Sequence, residues 1–133
     1  MGRVLDTFLD LVRIDSPTGR ERNVAEYLAG ALADAGCEVR FDETQTLTGA
    51  DTGNLLATLP GTTPGAVVAF SAHMDCVQPC EGVDPVVEGG VVRSAGATIL
   101  GGDDKVGLAA IVEAIRRLRE EQGAHAAVRA VLT

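Results

Sequence analysis

Apolar residues recur along the chain with two different spacings, which separate predicted helices from predicted strands. Helical spacing predicts helices over residues 3–13, 20–35 and 105–122. Alternating or nearly continuous apolar runs predict strands over residues 37–41, 54–59, 66–73 and 127–133. The polar stretch 42–53 between the first two strands predicts a surface loop.

Two segments add detail to this outline. The run AVVAFSAH (66–73) is apolar at nearly every position, which predicts a strand buried on both faces. The segment PVVEGGVVRS (85–94) predicts two short strands joined at Gly89-Gly90, a hairpin signal. The order of the elements predicts a layered α/β domain with a mixed sheet. A length of 133 residues fits one domain.

Charge and composition exclude several classes of protein. The chain has 19 acidic and 11 basic residues and a net charge of −8. This argues against nucleic-acid and anionic-membrane partners, because both need a basic surface. No stretch approaches the roughly 18 apolar residues of a membrane span, and the amphipathic N-terminus lacks the apolar core of a signal peptide. The three cysteines, Cys37, Cys76 and Cys80, imply no disulfide framework. We therefore expect a cytoplasmic protein.

The first candidate for chemistry is the pair His73 and Asp75 at the end of a predicted strand. Residues i and i+2 of a strand face the same side, so an imidazole and a carboxylate are offered together. Metal-bound histidines usually donate their second ring N–H to a carboxylate or a carbonyl, a role that Asp75 could fill. The alternative is a histidine that hydrogen-bonds only to the backbone at a strand end.

The second candidate is GGDDKVG (101–107), which leads into the third predicted helix. Asp103 or Asp104 could cap this helix, because acids at a helix N-terminus are stabilised by free N–H groups. A cap accounts for one carboxylate but less well for two. The other could bridge two metal ions. A phosphate loop is excluded, since the Walker pattern needs Gly-Lys followed by Ser or Thr.

The cysteines are a third candidate. Cys76 and Cys80 with His73 could form a structural zinc site, although such a site needs four ligands and no fourth is evident nearby. A catalytic cysteine would need a histidine base, and His125 lies in a polar stretch that predicts exposure.

Taken in order, these segments resemble a known family. SPTGRE, a buried strand ending in AHMD, a hairpin and TILGGDDKVGLAAI resemble the co-catalytic di-zinc peptidases, which include peptidase T, carboxypeptidase G and aminoacylase. The peptidase T-like branch is the most similar, with TILGADDKAG as its familiar second motif. The resemblance implies a layered zinc-peptidase catalytic domain, a phosphorylase/hydrolase-like α/β fold with a mixed, mostly parallel sheet between helices.

The resemblance also implies roles for three residues. His73 would bind one zinc ion, and Asp75 would orient His73. Asp103 would bridge two zinc ions, and a cis peptide bond would follow it before Asp104. Zinc is the expected metal, with cobalt or manganese as alternatives. The implied reaction is metal-assisted hydrolysis of a small peptide, in which a glutamate takes a proton from water.

The family pattern is incomplete in this chain. The glutamate, the later metal ligands and the inserted dimerisation domain fall outside the sequence, so residues 1–133 match the N-terminal part of the catalytic domain. We expect weak metal binding, no activity for this chain alone, and association with itself or with the missing C-terminal part. A deacylase or carboxypeptidase of the same family, and a non-catalytic binding or assembly module, remain alternative functions.

Overall fold

The computed structural model describes residues 2–133, which form a mixed α/β structure. Its elements are α1 (Arg3–Arg13), α2 (Arg22–Asp34), β1 (Glu38–Phe41), α3 (Gln45–Thr48), β2 (Leu55–Leu59), β3 (Val68–Ala72), β4 (Pro85–Glu88), β5 (Val91–Ser94), α4 (Gly102–Glu121) and β6 (Val128–Leu132). The three long helices and the strands predicted from apolar spacing are confirmed, with shifts of a few residues at their ends.

The prediction of a loop over residues 42–53 is wrong in part, because α3 lies inside this stretch. Asp42 Oδ1 accepts hydrogen bonds from the backbone N–H groups of Thr44 (3.0 Å) and Asn54 (2.8 Å). The pKa of Asp42 is lowered, mainly by a side-chain hydrogen bond with Thr44 and next by the backbone bond from Thr44. Local bonds from polar side chains therefore shape this segment, and apolar spacing does not reveal them.

The main sheet has the strand order β1-β2-β6-β3. β1 pairs with β2, and β2 with β6, in antiparallel fashion, whereas β3 and β6 are parallel. The expected layered α/β fold with a mixed sheet is confirmed. Mostly parallel pairing is wrong for the described residues, because two of their three ladders in this sheet are antiparallel.

One face of this sheet forms the core together with the long helices. Alternate residues of β2 and β6 point toward the helices and are buried: Leu55, Ala57, Leu59, Val128, Ala130 and Leu132. They meet the apolar stripes of α2 and α4, whose buried members include Leu28, Leu32, Leu108 and Ile115. α1 packs against α4, and its residues Leu11 and Val12 are fully buried in the core. This packing fixes the C-terminal ends of β3 and β6 beside the start of α4.

Strand β3 differs from its prediction. It lies at the edge of the sheet, and Val68 and Phe70 are 51% and 36% exposed. Only Ala72, at its C-terminal end, is buried. The prediction of a strand buried on both faces is therefore wrong here. An apolar sequence shows that a strand could be buried. Whether the strand is buried depends on which elements pack beside it.

The hairpin prediction is confirmed. β4 and β5 form a separate two-stranded antiparallel sheet, and the turn between them uses Gly89 (φ +59°) and Gly90 (φ +80°). Two consecutive positive φ angles match the turn that joins short hairpins tightly. Within residues 2–133, the helices are too short or too polar to cross a lipid bilayer.

Candidate metal centre

His73 and Asp75 lie just beyond the C-terminal end of β3. His73 Nδ1 is 2.9 Å from Asp75 Oδ1 and 3.0 Å from the Asp75 backbone oxygen. Both neighbours of Nδ1 are acceptors, so Nδ1 carries a proton and donates it. In the neutral ring this leaves the Nε2 lone pair available for a metal. The alternative interpretation was a histidine that hydrogen-bonds only to the backbone. His73 does contact a backbone oxygen, but it also contacts the Asp75 carboxylate.

Asp103 reaches the same imidazole from the start of α4. Asp103 Oδ1 lies 2.9 Å from His73 Nε2, and the Asp103 side chain is 95% exposed. Asp103 and Asp104 have non-helical backbone angles, so the regular helix begins after them. The peptide bond between them is cis, as the resemblance implies.

The loop before α4 is held by close packing. Gly101 has a φ of +77°, a conformation that side chains disfavour, and a Cβ there would lie 3.0 Å from Cys76 Sγ. Asp104 Oδ1 accepts a hydrogen bond from the Gly107 N–H at 3.2 Å. The capping role thus belongs to Asp104, which leaves the Asp103 carboxylate free of that task.

These contacts form one chain of hydrogen bonds through four side chains. Thr18 Oγ1 donates to Asp75 Oδ2 at 2.5 Å, and His73 Nδ1 donates to Asp75 Oδ1. Without a metal ion, His73 Nε2 carries a proton as well and donates it to Asp103 Oδ1. Desolvation alone would lower the pKa of His73. The contacts with Asp103 and Asp75 outweigh it, and the pKa of His73 is raised above its ordinary value. The site therefore favours a positive charge on or beside the imidazole.

Two of these atoms, His73 Nε2 and Asp103 Oδ1, could serve as ligands of one divalent metal ion. Two atoms bound to one tetrahedral zinc at about 2.1 Å lie roughly 3.4 Å apart. His73 Nε2 and Asp103 Oδ1 are 2.9 Å apart, so a small rotation of the exposed Asp103 side chain would admit the ion. Imidazole and carboxylate are ordinary zinc ligands. A cleft of about 410 Å³ opens at this point, with Val77, Ile99 and Leu100 on its apolar side.

The cysteine alternatives find no support among residues 2–133. Among these residues no three His, Cys, Asp or Glu side chains converge on one metal position, so His73 and Asp103 offer two ligands and neither cysteine adds a third. Cys76 and Cys80 are buried, and the Cys80 thiol lies 3.4 Å from the Cys76 backbone oxygen. Burial raises the pKa of Cys80, which makes it a poor nucleophile. His125 is half-buried, and its Nδ1 contacts the backbone oxygen of Ala126 at 2.8 Å.

Two residues near the site were not predicted to act there. Thr18 lies in the SPTG segment, which is one of the motifs of the family resemblance but was given no role in the site. Lys105 follows the two aspartates and is 1% exposed, with Nζ donating to the Ile14 backbone oxygen at 2.7 Å. Burial lowers the pKa of Lys105. Lys105 therefore ties the start of α4 to the α1–α2 connection, to which Thr18 also belongs.

Comparison with known proteins places these features in context. No protein-family model matches the chain. The protein YqjE of Bacillus subtilis strain 168, described as uncharacterized, is 46% identical over 131 residues, which cover 98% of this chain and 35% of YqjE.

Solved structures are also similar to this chain over nearly all of its residues. The aminopeptidase PepT from Bacillus cereus is 41% identical with a TM-score of 0.94, and the match covers 98% of this chain and 35% of that one. A tripeptidase from Staphylococcus aureus is 38% identical, with the same TM-score and coverage. An M20 family metallo-carboxypeptidase from Sulfolobus solfataricus is 18% identical at a TM-score of 0.74, with 99% of this chain and 30% of that one covered, which shows a shared fold alone.

The chain thus spans 35% of the length of each of the three more similar proteins. High identity and high structural similarity extend together over nearly all of its residues. The resemblance to the peptidase T-like metallopeptidases that the SPTGRE, AHMD and TILGGDDKVGLAAI segments predict is therefore confirmed in sequence and in fold.

Proposed function

We propose that this chain contributes half of the metal site of a peptidase T-like aminopeptidase, which hydrolyses tripeptides or other small peptides with two zinc ions. The observation that carries the proposal is the convergence of His73 Nε2 and Asp103 Oδ1 at 2.9 Å, with Asp75 on the opposite ring nitrogen. Its support from similarity is the match to an aminopeptidase and a tripeptidase, each with a TM-score of 0.94.

Each of the three residues has a distinct task in this proposal. His73 would hold a metal ion through Nε2, and Asp75 would keep the proton on Nδ1 so that the lone pair stays on Nε2. Asp103 would supply a carboxylate ligand beside His73. When bound, the metal ions supply a water of lowered pKa and polarise the scissile carbonyl. The apolar side of the cleft, with Val77 and Leu100, excludes water from part of the substrate.

The chain alone is expected to bind metal weakly and to hydrolyse nothing. His73 and Asp103 provide two ligands, whereas catalytic zinc normally has three protein ligands and a water. A general base is also needed to take the proton from the attacking water. The resemblance implies a glutamate for this role, which His73, Asp75 and Asp103 do not supply. Cobalt or manganese could replace zinc, since both accept nitrogen and oxygen ligands.

A graft tests the proposed activity. The matched segment of the Bacillus cereus aminopeptidase PepT is replaced by this chain, and hydrolysis of tripeptides is measured with zinc, cobalt and manganese. We expect tripeptide hydrolysis that is lost in the His73→Ala graft and kept in the His125→Ala graft. N-acyl amino acids and N-blocked dipeptides serve as substrates for the deacylase and carboxypeptidase alternatives. A folded graft that binds metal but cleaves none of these substrates would support the non-catalytic module instead.

We also propose that the chain associates through the edge of its sheet. Val67, Val68 and Phe70 are exposed on and beside β3, whose outer edge has no strand partner among residues 2–133. Such an edge pairs readily with another strand. Light scattering that shows only monomers at high concentration, together with no binding to the remaining part of a related peptidase, would contradict this proposal.

A further inference from the structure

The hydroxyl of Thr18 contacts the carboxylate that orients His73. Thr18 Oγ1 donates to Asp75 Oδ2 at 2.5 Å, while Asp75 Oδ1 faces His73 Nδ1 at 2.9 Å. The two oxygens of one carboxylate thus have separate partners on opposite sides. A carboxylate can rotate about its final torsion, which is broad and roughly two-fold. The Thr18 contact selects the orientation in which Oδ1 points at the imidazole.

The backbone around Thr18 is held firmly in place. Pro17 forms a parallel bridge with Cys76, whose N–H donates to the Ser16 oxygen at 2.8 Å. The N–H of Arg20 donates to the Pro17 oxygen at 2.8 Å, which closes a turn around Thr18. The hydroxyl is therefore presented to Asp75 by a structured turn and not by a mobile loop.

We propose that Thr18 is a positioning residue for the metal centre, acting through Asp75 to keep the His73 lone pair on Nε2. This inference rests on the proposed function, because it assigns His73 Nε2 to a metal ion. Thr18 itself is exposed, so replacing it removes little packing. Removing a direct orienting partner of a metal-bound histidine typically weakens metal binding about 10–100-fold. Thr18 is one hydrogen bond further from the metal, so we expect a loss of about fivefold to tenfold.

The test compares three variants of the chain. Thr18→Val has nearly the same shape but no hydroxyl, and Thr18→Ser keeps the hydroxyl. Thr46→Val is the matched control, because Thr46 is also exposed and its hydroxyl donates to the Glu43 backbone oxygen at 2.8 Å, away from Asp75. Zinc affinity is measured by calorimetry. The His73 tautomer is measured in the zinc-free chain from its imidazole ¹⁵N shifts, at a fixed alkaline pH where the ring is neutral.

We expect Thr18→Val to lose zinc affinity and to increase the share of the Nε2–H tautomer, while Thr18→Ser and Thr46→Val match the wild type. A merely structural role would not change the tautomer and would not be rescued by serine. Equal tautomer populations in Thr18→Val and the wild type, or an equal loss in Thr18→Ser, would overturn the proposal. Because the tautomer is read without zinc, it tests Thr18 even if the wild type fails to bind metal, an outcome that would count against the proposed function alone.

Discussion

His73 Nε2 lies 2.9 Å from Asp103 Oδ1, although the two residues are 30 positions apart in the chain. One follows the edge strand β3, and the other precedes the regular part of α4. The hairpin of β4 and β5 lies between them in the sequence. The contact is therefore a product of the tertiary fold, and it joins the two motifs on which the proposed metal centre depends.

The role of Asp75 can be tested by Asp75→Asn. The amide keeps the shape of the side chain but loses the negative charge that supports the imidazole and the Thr18 hydrogen bond. We expect zinc affinity to fall about 10-fold or more. We also expect the pKa of His73 to fall, because Asp75 is one of the groups that raise it. Calorimetry and an NMR titration of His73 measure the two effects, and Asp84→Asn, at an exposed position, is the control. Unchanged affinity together with an unchanged pKa would contradict the assigned role.

Two glycines in helices give opposite predictions for the same substitution. Gly30 in α2 has open space around it, so Gly30→Ala should stabilise the fold by about 0.5–1 kcal/mol through helix propensity. A Cβ at Gly107 in α4 would collide with the Asp104 carboxylate. Gly107→Ala should therefore destabilise the fold and displace the cap beside Asp103. Urea unfolding of both variants measures the difference, and a stabilised Gly107→Ala would show that Asp104 does not cap α4 in this way.

Lys105 predicts how stability depends on pH. Burial holds the folded-state pKa of Lys105 below its ordinary value of 10.5. Between the two pKa values the unfolded chain binds the extra proton, so this residue makes stability rise as pH increases toward about 10.5. Buried Cys37 and Cys80, whose pKa values are raised above the ordinary 9.0, act in the opposite direction as pH increases beyond about 9.

The contribution of Lys105 is therefore measured as a difference. Free energies of unfolding are compared between the wild type and Lys105→Met at several alkaline pH values. We expect the free energy of unfolding of the wild type to increase relative to that of Lys105→Met as pH rises. A constant difference between the two would mean that Lys105 titrates normally in the folded chain.

The helices and most strands were predictable because each leaves a local signal. Apolar spacing marks α1, α2 and α4, and glycine pairs mark the hairpin and the turn before α4. His73 and Asp103 stand out as polar residues at the ends of apolar elements. Their convergence was expected only because the whole order of motifs resembled a known family.

Other features depend on contacts that no local pattern records. Thr18 and Asp75 are 57 positions apart, and Lys105 and Ile14 are 91 positions apart. A lysine after two aspartates looks like a solvated helix start, yet this one is buried. The exposure of β3 was missed for the same reason, since its burial depends on the neighbouring elements and not on its own composition.

The central claim is that His73 and Asp103 together bind a metal ion, and a zinc titration by calorimetry tests it most directly. The chain is compared with His73→Ala, Asp103→Ala and the control His125→Ala, which removes the other of the two histidines. We predict weak binding in the wild type and in His125→Ala, lost in both His73→Ala and Asp103→Ala, with circular dichroism unchanged throughout. Binding that persists in His73→Ala and Asp103→Ala would contradict the assignment.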